Sequence, residues 1–225
     1  MNRLIFDELD SLFESLTIKP SFEKVHVILA LFIFDENPEG IGRYRLQKEL
    51  MIGEGTAKSL IKKLNEKKKF VAVVVETKRK GHVLTEVGLK YLGKIKGIIP
   101  IIQRGDSSVL KDIIIESEET SVYFCLVKNA SQKITDGINQ RDAAIKVNGS
   151  GATCLVYDGN NLIFPSKSYS GDNDSIINEE VYKYFESQLS EKKVKLEDND
   201  VIAIGSGDSP QIARIATLNA ALTLI

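Results

Sequence analysis

Residues 41–96 constrain the fold most, because the hydrophobic period changes from helical to strand and back within one short stretch. A first helix is predicted over roughly Arg43 to Leu50, with Leu46 and Leu50 inward, followed by a turn at Met51-Ile52-Gly53. A second is predicted over roughly Glu54 to Lys67, where Ala57, Leu60, Ile61 and Leu64 recur at i, i+3, i+4 and i+7 and give one stripe to bury. The period then becomes that of a strand over Phe70 to Glu76. A tight basic turn, Thr77-Lys78-Arg79-Lys80-Gly81, leads to a return strand His82 to Leu84, and Thr85 opens a closing helix as its N-cap. Ahead of this set Ser21 is the candidate cap of FEKVHVILALFIF, a nearly all-apolar helix that must be central to a core and that ends at the turn-forming residues 35–40. Three helices, a hairpin and a closing helix make a helix-turn-helix with a wing.

The chain has 225 residues, enough for one large or two small domains, with 30 Lys+Arg against 31 Asp+Glu. Taken whole, that near-zero balance argues against a nucleic-acid partner. By segment it reverses. Residues 1–40 carry 3 basic and 8 acidic side chains, residues 41–96 carry 15 and 5, and residues 97–225 carry 12 and 18, so a +10 segment lies between nets of -5 and -6. This asymmetry points to a polyanion partner for one domain only. A run such as Lys67-Lys68-Lys69 taken alone is more often a solvated helix face.

Two cysteines, Cys125 and Cys154, in no CxxC spacing, and two histidines, His26 and His82, leave almost no material for a disulfide framework or a zinc site. Both cysteines fall in predicted strands, where a buried thiol acts as a small hydrophobe. No stretch reaches the ~18 to 20 apolar residues that span a bilayer. The acidic start, MNRLIFDELD, is unlike a secretory signal. A cytoplasmic protein with no membrane partner, no metal and no cofactor is expected.

The turn Gly53-Glu54-Gly55-Thr56 and the phrase LTEVGLKYLGKI resemble those of prokaryotic winged-helix transcription regulators, archaeal ones in particular, over about residues 21–97. Many relatives place a glycine after the second helix where this chain has Lys67, Lys68 and Lys69 before Phe70, which puts the end of that helix in question. The C-terminal half resembles the accessory domain of an uncharacterised archaeal winged-helix family, through GINQRDAAIKVNGSGATCLVY and IAIGSGDSPQIARIATLNAAL. That likeness implies a pairing of folds and no chemistry.

The amphipathic segment LIFDELDSLFESL, residues 4–16, is expected to form one helix that caps a core or pairs two subunits, and residues 85–96 offer a second dimer contact. Pro100, Gly105 and small polar residues suggest a linker over 98–108, separating a DNA-binding domain, 1–97, from an α/β ligand-sensing or dimerisation domain, 109–225. In the latter a strand 121–127, a helix 136–147, a hairpin 152–165, a helix 178–189 and a strand 200–204 precede a terminal helix 210–224. The class is α+β: a winged helix-turn-helix domain plus an α/β sandwich. The order βαββαβ suits a ferredoxin-like domain with an extra C-terminal helix, the alternative being another small α/β sandwich.

For the first domain the candidate chemistry is binding of double-stranded DNA. Ser59, Lys62 and Lys63 lie opposite the buried stripe of the second helix, Thr56 and Lys58 sit near its start, and Lys78, Arg79 and Lys80 form the hairpin tip. A protein-docking role for the winged helix is the rival reading. For the second domain, Gly205-Ser206-Gly207-Asp208-Ser209 before Pro210 reads either as an anion cradle or as a tight turn with a good cap. It matches neither GxxxxGK[ST] nor GxGxxG. Arg141, Lys146, Ser150 and Gly151 are the other candidates for binding a small anionic ligand, with a simple Arg141–Asp142 ion pair as the plainer outcome. No catalytic constellation is marked out. A homodimeric regulator that senses a small anionic metabolite is the leading expectation, and an enzyme acting on a phosphorylated metabolite, carrying a winged-helix attachment, is the alternative.

Overall fold

The computed structural model describes residues 2–14, 20–74, 81–114, 120–165 and 176–225. The chain divides into two units, Met1–Lys96 and Gly97–Ile225.

In the first unit, helix α1 (Asn2–Asp7) is followed by a 3-10 turn, Asp10–Leu12, so the single helix expected over 4–16 is broken; residues 15–19 lie outside the described residues. Helix α2 (Lys24–Asp35) buries Val25 and every residue from Val27 to Phe34, as its all-apolar sequence demands. Its start differs from expectation. Glu23, not Ser21, is the N-cap, and it forms a capping box in which the Glu23 N–H donates to His26 Nδ1 at 3.0 Å.

Helices α3 (Arg43–Glu49) and α4 (Glu54–Glu66) form the helix-turn-helix, with Leu46, Leu50, Ala57, Leu60, Ile61 and Leu64 buried. Strands β1 (Val71–Val73) and β2 (His82–Leu84) pair antiparallel, and Ile41 bridges to His82 as a further rung. Helix α5 (Glu86–Lys96) closes the unit. Thr85 caps it as predicted: its Oγ1 accepts from the Gly88 N–H at 3.1 Å.

Gly88 is fixed by packing. A Cβ there would lie 2.1 Å from the Phe70 carbonyl oxygen. The phrase Leu-Thr-x-x-Gly therefore encodes a cap and a close approach of α5 to the start of β1, where Phe70 also stacks on Tyr91 with centroids 4.6 Å apart.

The second unit begins where a linker is expected. Residues 101–104 form strand β3 (Ile101–Arg104) and Ser107–Leu110 form a short helix α6, so the stretch 98–108 belongs to the fold. The cause is apolar: Ile98, Ile99, Ile101 and Ile102 are all buried, which outweighs the punctuation by Pro100 and Gly105.

Strand β4 (Ser121–Val127), helix α7 (Ile138–Lys146), strands β5 (Gly151–Tyr157) and β6 (Leu162–Ile163), helix α8 (Glu179–Glu191), strand β7 (Val201–Gly207) and helix α9 (Pro210–Leu222) follow. The strands form one antiparallel sheet in the order β3-β4-β7-β5-β6.

Strand β7 is buried at every position, which requires neighbours on both edges and cover on both faces. It lies between β4 and β5. Val122, Phe124, Leu126, Leu155, Ile202 and Ile204 face α8 through Val181, Phe185 and Leu189. The opposite face receives α7 and α9, where Ala144, Ala216 and Ala220 pack together beside Ala152. The unit is thus a three-layer sandwich.

The ferredoxin-like arrangement expected from the element order does not form, and the alternative, another α/β sandwich, does. The ferredoxin-like arrangement centres on the first and third strands of βαββαβ and keeps both connecting helices on one face. Here β7 and β5, the fourth and second, are central, and α7 and α8 lie on opposite faces. Cys125 and Cys154 each pair opposite Ala203 on the α9 side, both buried, and burial pushes both thiols up in pKa, Cys154 to about 12.

Candidate functional site

Helix α4 is the element on which the sequence concentrates candidate contacts. Its buried stripe fixes which side chains face outward. Lys58 and Lys62 are exposed and Ser59 is half-buried, all on the face away from Leu60 and Leu64. Lys62 makes a loose i,i+4 pair with Glu66 at 3.9 Å, both side chains well exposed, so it remains accessible to a phosphate. The starts of α3 and α4 are tied by Arg43 Nη2 to Glu54 Oε1 at 2.8 Å, while the neighbouring Tyr44 is 65% exposed.

Thr56 and Lys63 behave differently from the reading that groups them with Ser59 and Lys62. With Lys67 they follow one another along a flank of α4, and all three are engaged inside the unit. Thr56 Oγ1 and Ser21 Oγ share a hydrogen bond of 2.6 Å. Lys63 Nζ donates to the carbonyls of Leu12 and Glu14 and lies 5.9 Å from the centre of the Phe22 ring. Lys67 Nζ donates to the carbonyls of Ser11 at 3.0 Å and Glu14 at 3.4 Å, and Lys68 Nζ donates to that of Glu8. Burial, with the neighbouring Lys67 charge, lowers the pKa of the Lys63 ammonium. The acidic N-terminal segment thus lies over this flank. Lys78, Arg79 and Lys80 lie outside the described residues.

The same segment meets α5, where Tyr91 Oη donates to the Ile5 carbonyl at 2.7 Å and Lys94 pairs with Glu8 at 2.9 Å. The two stretches expected as dimer contacts therefore contact one another within the unit.

In the C-terminal unit the loop expected at 205–209 is largely strand. Gly205, Ser206 and Gly207 are the buried end of β7, and only Asp208 and Ser209 lie between it and α9. A Cβ on Gly205 would sit 2.5 Å from the Thr217 backbone nitrogen, and one on Gly207 would sit 2.6 Å from Ile212 Cγ2. These glycines admit α9 onto the sheet; they do not line an opening for an anion. Ser209 Oγ accepts from the Ile212 N–H at 3.3 Å and Pro210 begins the helix, which is the turn-with-cap reading. Ser150 and Gly151 join β5 to the same strand end, with the Ser150 N–H on the Ser206 carbonyl at 2.9 Å and Gly151 opposite Ser206.

Arg141 is apart from that group. It pairs with Asp142 at 2.9 Å and lines a cleft of about 510 Å³ with Asp112, Asp136, Ile138, Thr153 and Phe164. Lys146, Ser150, Ser206 and Ser209 do not line it, so the convergence imagined from sequence does not form there. Asp136 Oδ1 accepts from the Ile138 N–H at 3.1 Å at the start of α7, and Thr153 Oγ1 donates to the Ile113 carbonyl at 2.7 Å. Asp112, Asp136 and Thr153 come from three separate elements, and no spacing in the sequence joins them. Among the described residues no group of three or more His, Cys, Asp or Glu is placed to hold a metal ion, and no helix is long and apolar enough to cross a membrane.

Residues 24–90 match the family described as PH0730-like, N-terminal domain, and residues 119–224 match a domain of unknown function, DUF4443. No curated protein matches the chain. Among solved structures, the hypothetical protein PH0730 from Pyrococcus horikoshii OT3 aligns with a TM-score of 0.64 at 24% identity, over 90% of this chain and 93% of that one. In fold, then, this chain is similar over nearly its whole length to an archaeal protein, with a PH0730-like N-terminal domain followed by a domain of unknown function.

Proposed function

We propose that this protein is a DNA-binding transcriptional regulator of the cytoplasm, in which α4 enters the major groove of double-stranded DNA. The observation that carries the reading is the outward face of α4, where Lys58, Ser59 and Lys62 stand on the second helix of a helix-turn-helix beside a two-stranded wing. Lysines there neutralise phosphates or reach guanine, and Ser59 donates to phosphate or base edges. The segment charge of +10 over 41–96 supports a polyanion partner over a protein one. The C-terminal unit serves as sensor or dimerisation domain of a homodimer and carries no catalytic step in this reading.

The cleft beside Arg141 is where we place the effector. Asp112 and Asp136 in the same cleft make a purely anionic metabolite a poor fit and favour one that also carries a cationic group.

A duplex titration at several salt concentrations tests the DNA reading. Log affinity is expected to fall with log salt at about 0.9 per phosphate neutralised. A flat response to salt removes it.

A further inference from the structure

We propose that the acidic N-terminal segment is a built-in competitor for DNA phosphates, holding the flank of α4 until a duplex displaces it. The inference rests on the DNA-binding reading above and adds a regulatory contact to it.

Five donors on or beside the far half of α4 and on α5 are used by residues 5–14: the ammonium groups of Lys63, Lys67, Lys68 and Lys94 and the hydroxyl of Tyr91. Lys63 and Lys67 stand on the flank of α4 opposite Lys58, with Lys68 just beyond the helix, and a helix seated in the major groove has a phosphate backbone along each flank. Toward α4 the segment presents backbone carbonyls, while its carboxylates pair with the neighbouring helices, Glu8 with Lys94 of α5 at 2.9 Å and Asp10 with Lys24 of α2 at 2.7 Å, and Asp7 and Glu14 are exposed. Carbonyl oxygens on Lys63, Lys67 and Lys68 and the Glu8 carboxylate on Lys94 occupy positions that phosphate oxygens would take, and both cannot hold the same ammonium groups.

The segment is anchored, not loosely attracted. Phe6, Leu9 and Leu12 are buried, the last two completely, and Phe13 meets Phe22 with ring centroids 5.6 Å apart. Displacing it costs apolar burial, and binding is weakened by that cost. The acidic side chains are distinct from these apolar anchors, so charge can be removed while the anchors stay.

The test uses the full chain with Asp7→Asn, Glu8→Gln, Asp10→Asn and Glu14→Gln together, titrated with duplex DNA beside the unaltered protein. The altered chain is expected to bind about tenfold more tightly at equal salt. Hydrogen exchange supplies a readout that a general change of charge does not move. In the unaltered protein, the Leu9, Leu12 and Phe13 amides, which are bonded within the segment, are expected to lose protection when DNA binds. Equal or weaker binding by the altered chain, or protection of these amides retained in the complex, overturns the inference while the DNA reading stands. Failure of both proteins to bind duplex at low salt removes both.

Discussion

His26 is a residue whose role only the local geometry reveals. It stands at the third position of α2 and its Nδ1 accepts the Glu23 N–H, a task that requires the neutral ring. Burial lowers its pKa, against the opposing pull of Glu23. A lowered folded-state pKa contributes stability that is fully present above the unfolded value of about 6.5 and is lost as pH falls through the folded one. Burial lowers His82 with the same sign. Denaturation midpoints measured against pH are therefore expected to fall in mildly acidic buffer. His26→Gln, which keeps an acceptor at that position and does not titrate, is expected to give a shallower acid limb, His82 supplying the remainder. The lysines of α4 divide in the same residue-by-residue way. Lys58→Ala and Lys62→Ala are each expected to weaken duplex binding across sequences and to reduce the salt slope by about 1. Lys63→Ala, starting from an ammonium already held by the Leu12 and Glu14 carbonyls, is expected to change affinity less than either.

At the scale of elements, close approach explains what the glycines do. Gly88→Ala forces a Cβ against the Phe70 carbonyl, where the obstacle is backbone and cannot swing away. A loss of about 2 to 3 kcal/mol in chemical denaturation is expected. Gly205→Ala meets the backbone of α9 in the same manner and belongs to the same class.

At the first of these the cap was legible in the sequence, Thr85 being expected to open the closing helix, but the close approach that Gly88 permits was not. The second was misleading. Two glycines ahead of a Ser-Pro helix start look alike whether they form a phosphate loop or admit a helix onto a strand, and only the neighbour across the sheet decides. Strand β3 was hidden for a related reason, since Pro100 and Gly105 punctuate a segment whose burial depends on β4, a partner beyond the reach of local pattern. The helix-turn-helix was readable because its stripe is local and periodic. The cleft around Arg141 was not, because its lining is assembled from a 3-10 turn (Lys111–Ile113), helix α7 and strand β5, which are distant in the chain.

For the whole molecule, the near balance of charge is a property of parts that offset one another. The basic span 41–96 carries +10, and some of the acid that cancels it in the total lies directly on it, through the Glu8 carboxylate on Lys94. The chain also divides into two units, each with its own core, so a ligand of one unit need not protect the other. This gives the regulator reading a regional signature. With duplex DNA at about 100 times its dissociation constant, linkage adds roughly 2.7 kcal/mol to whatever opens with the bound surface. Hydrogen exchange followed peptide by peptide is expected to show slower exchange in α3 and α4 on addition of DNA, with exchange in β4, β5 and β7 unchanged in the absence of an effector. Protection that rises only in the C-terminal unit would assign the nucleic-acid contact to the wrong half of the chain. Arg141→Ala, in the cleft of that unit, is expected to leave this DNA-dependent pattern and the effector-free affinity as they were, since Arg141 pairs with Asp142 and lines the cleft where the effector is placed.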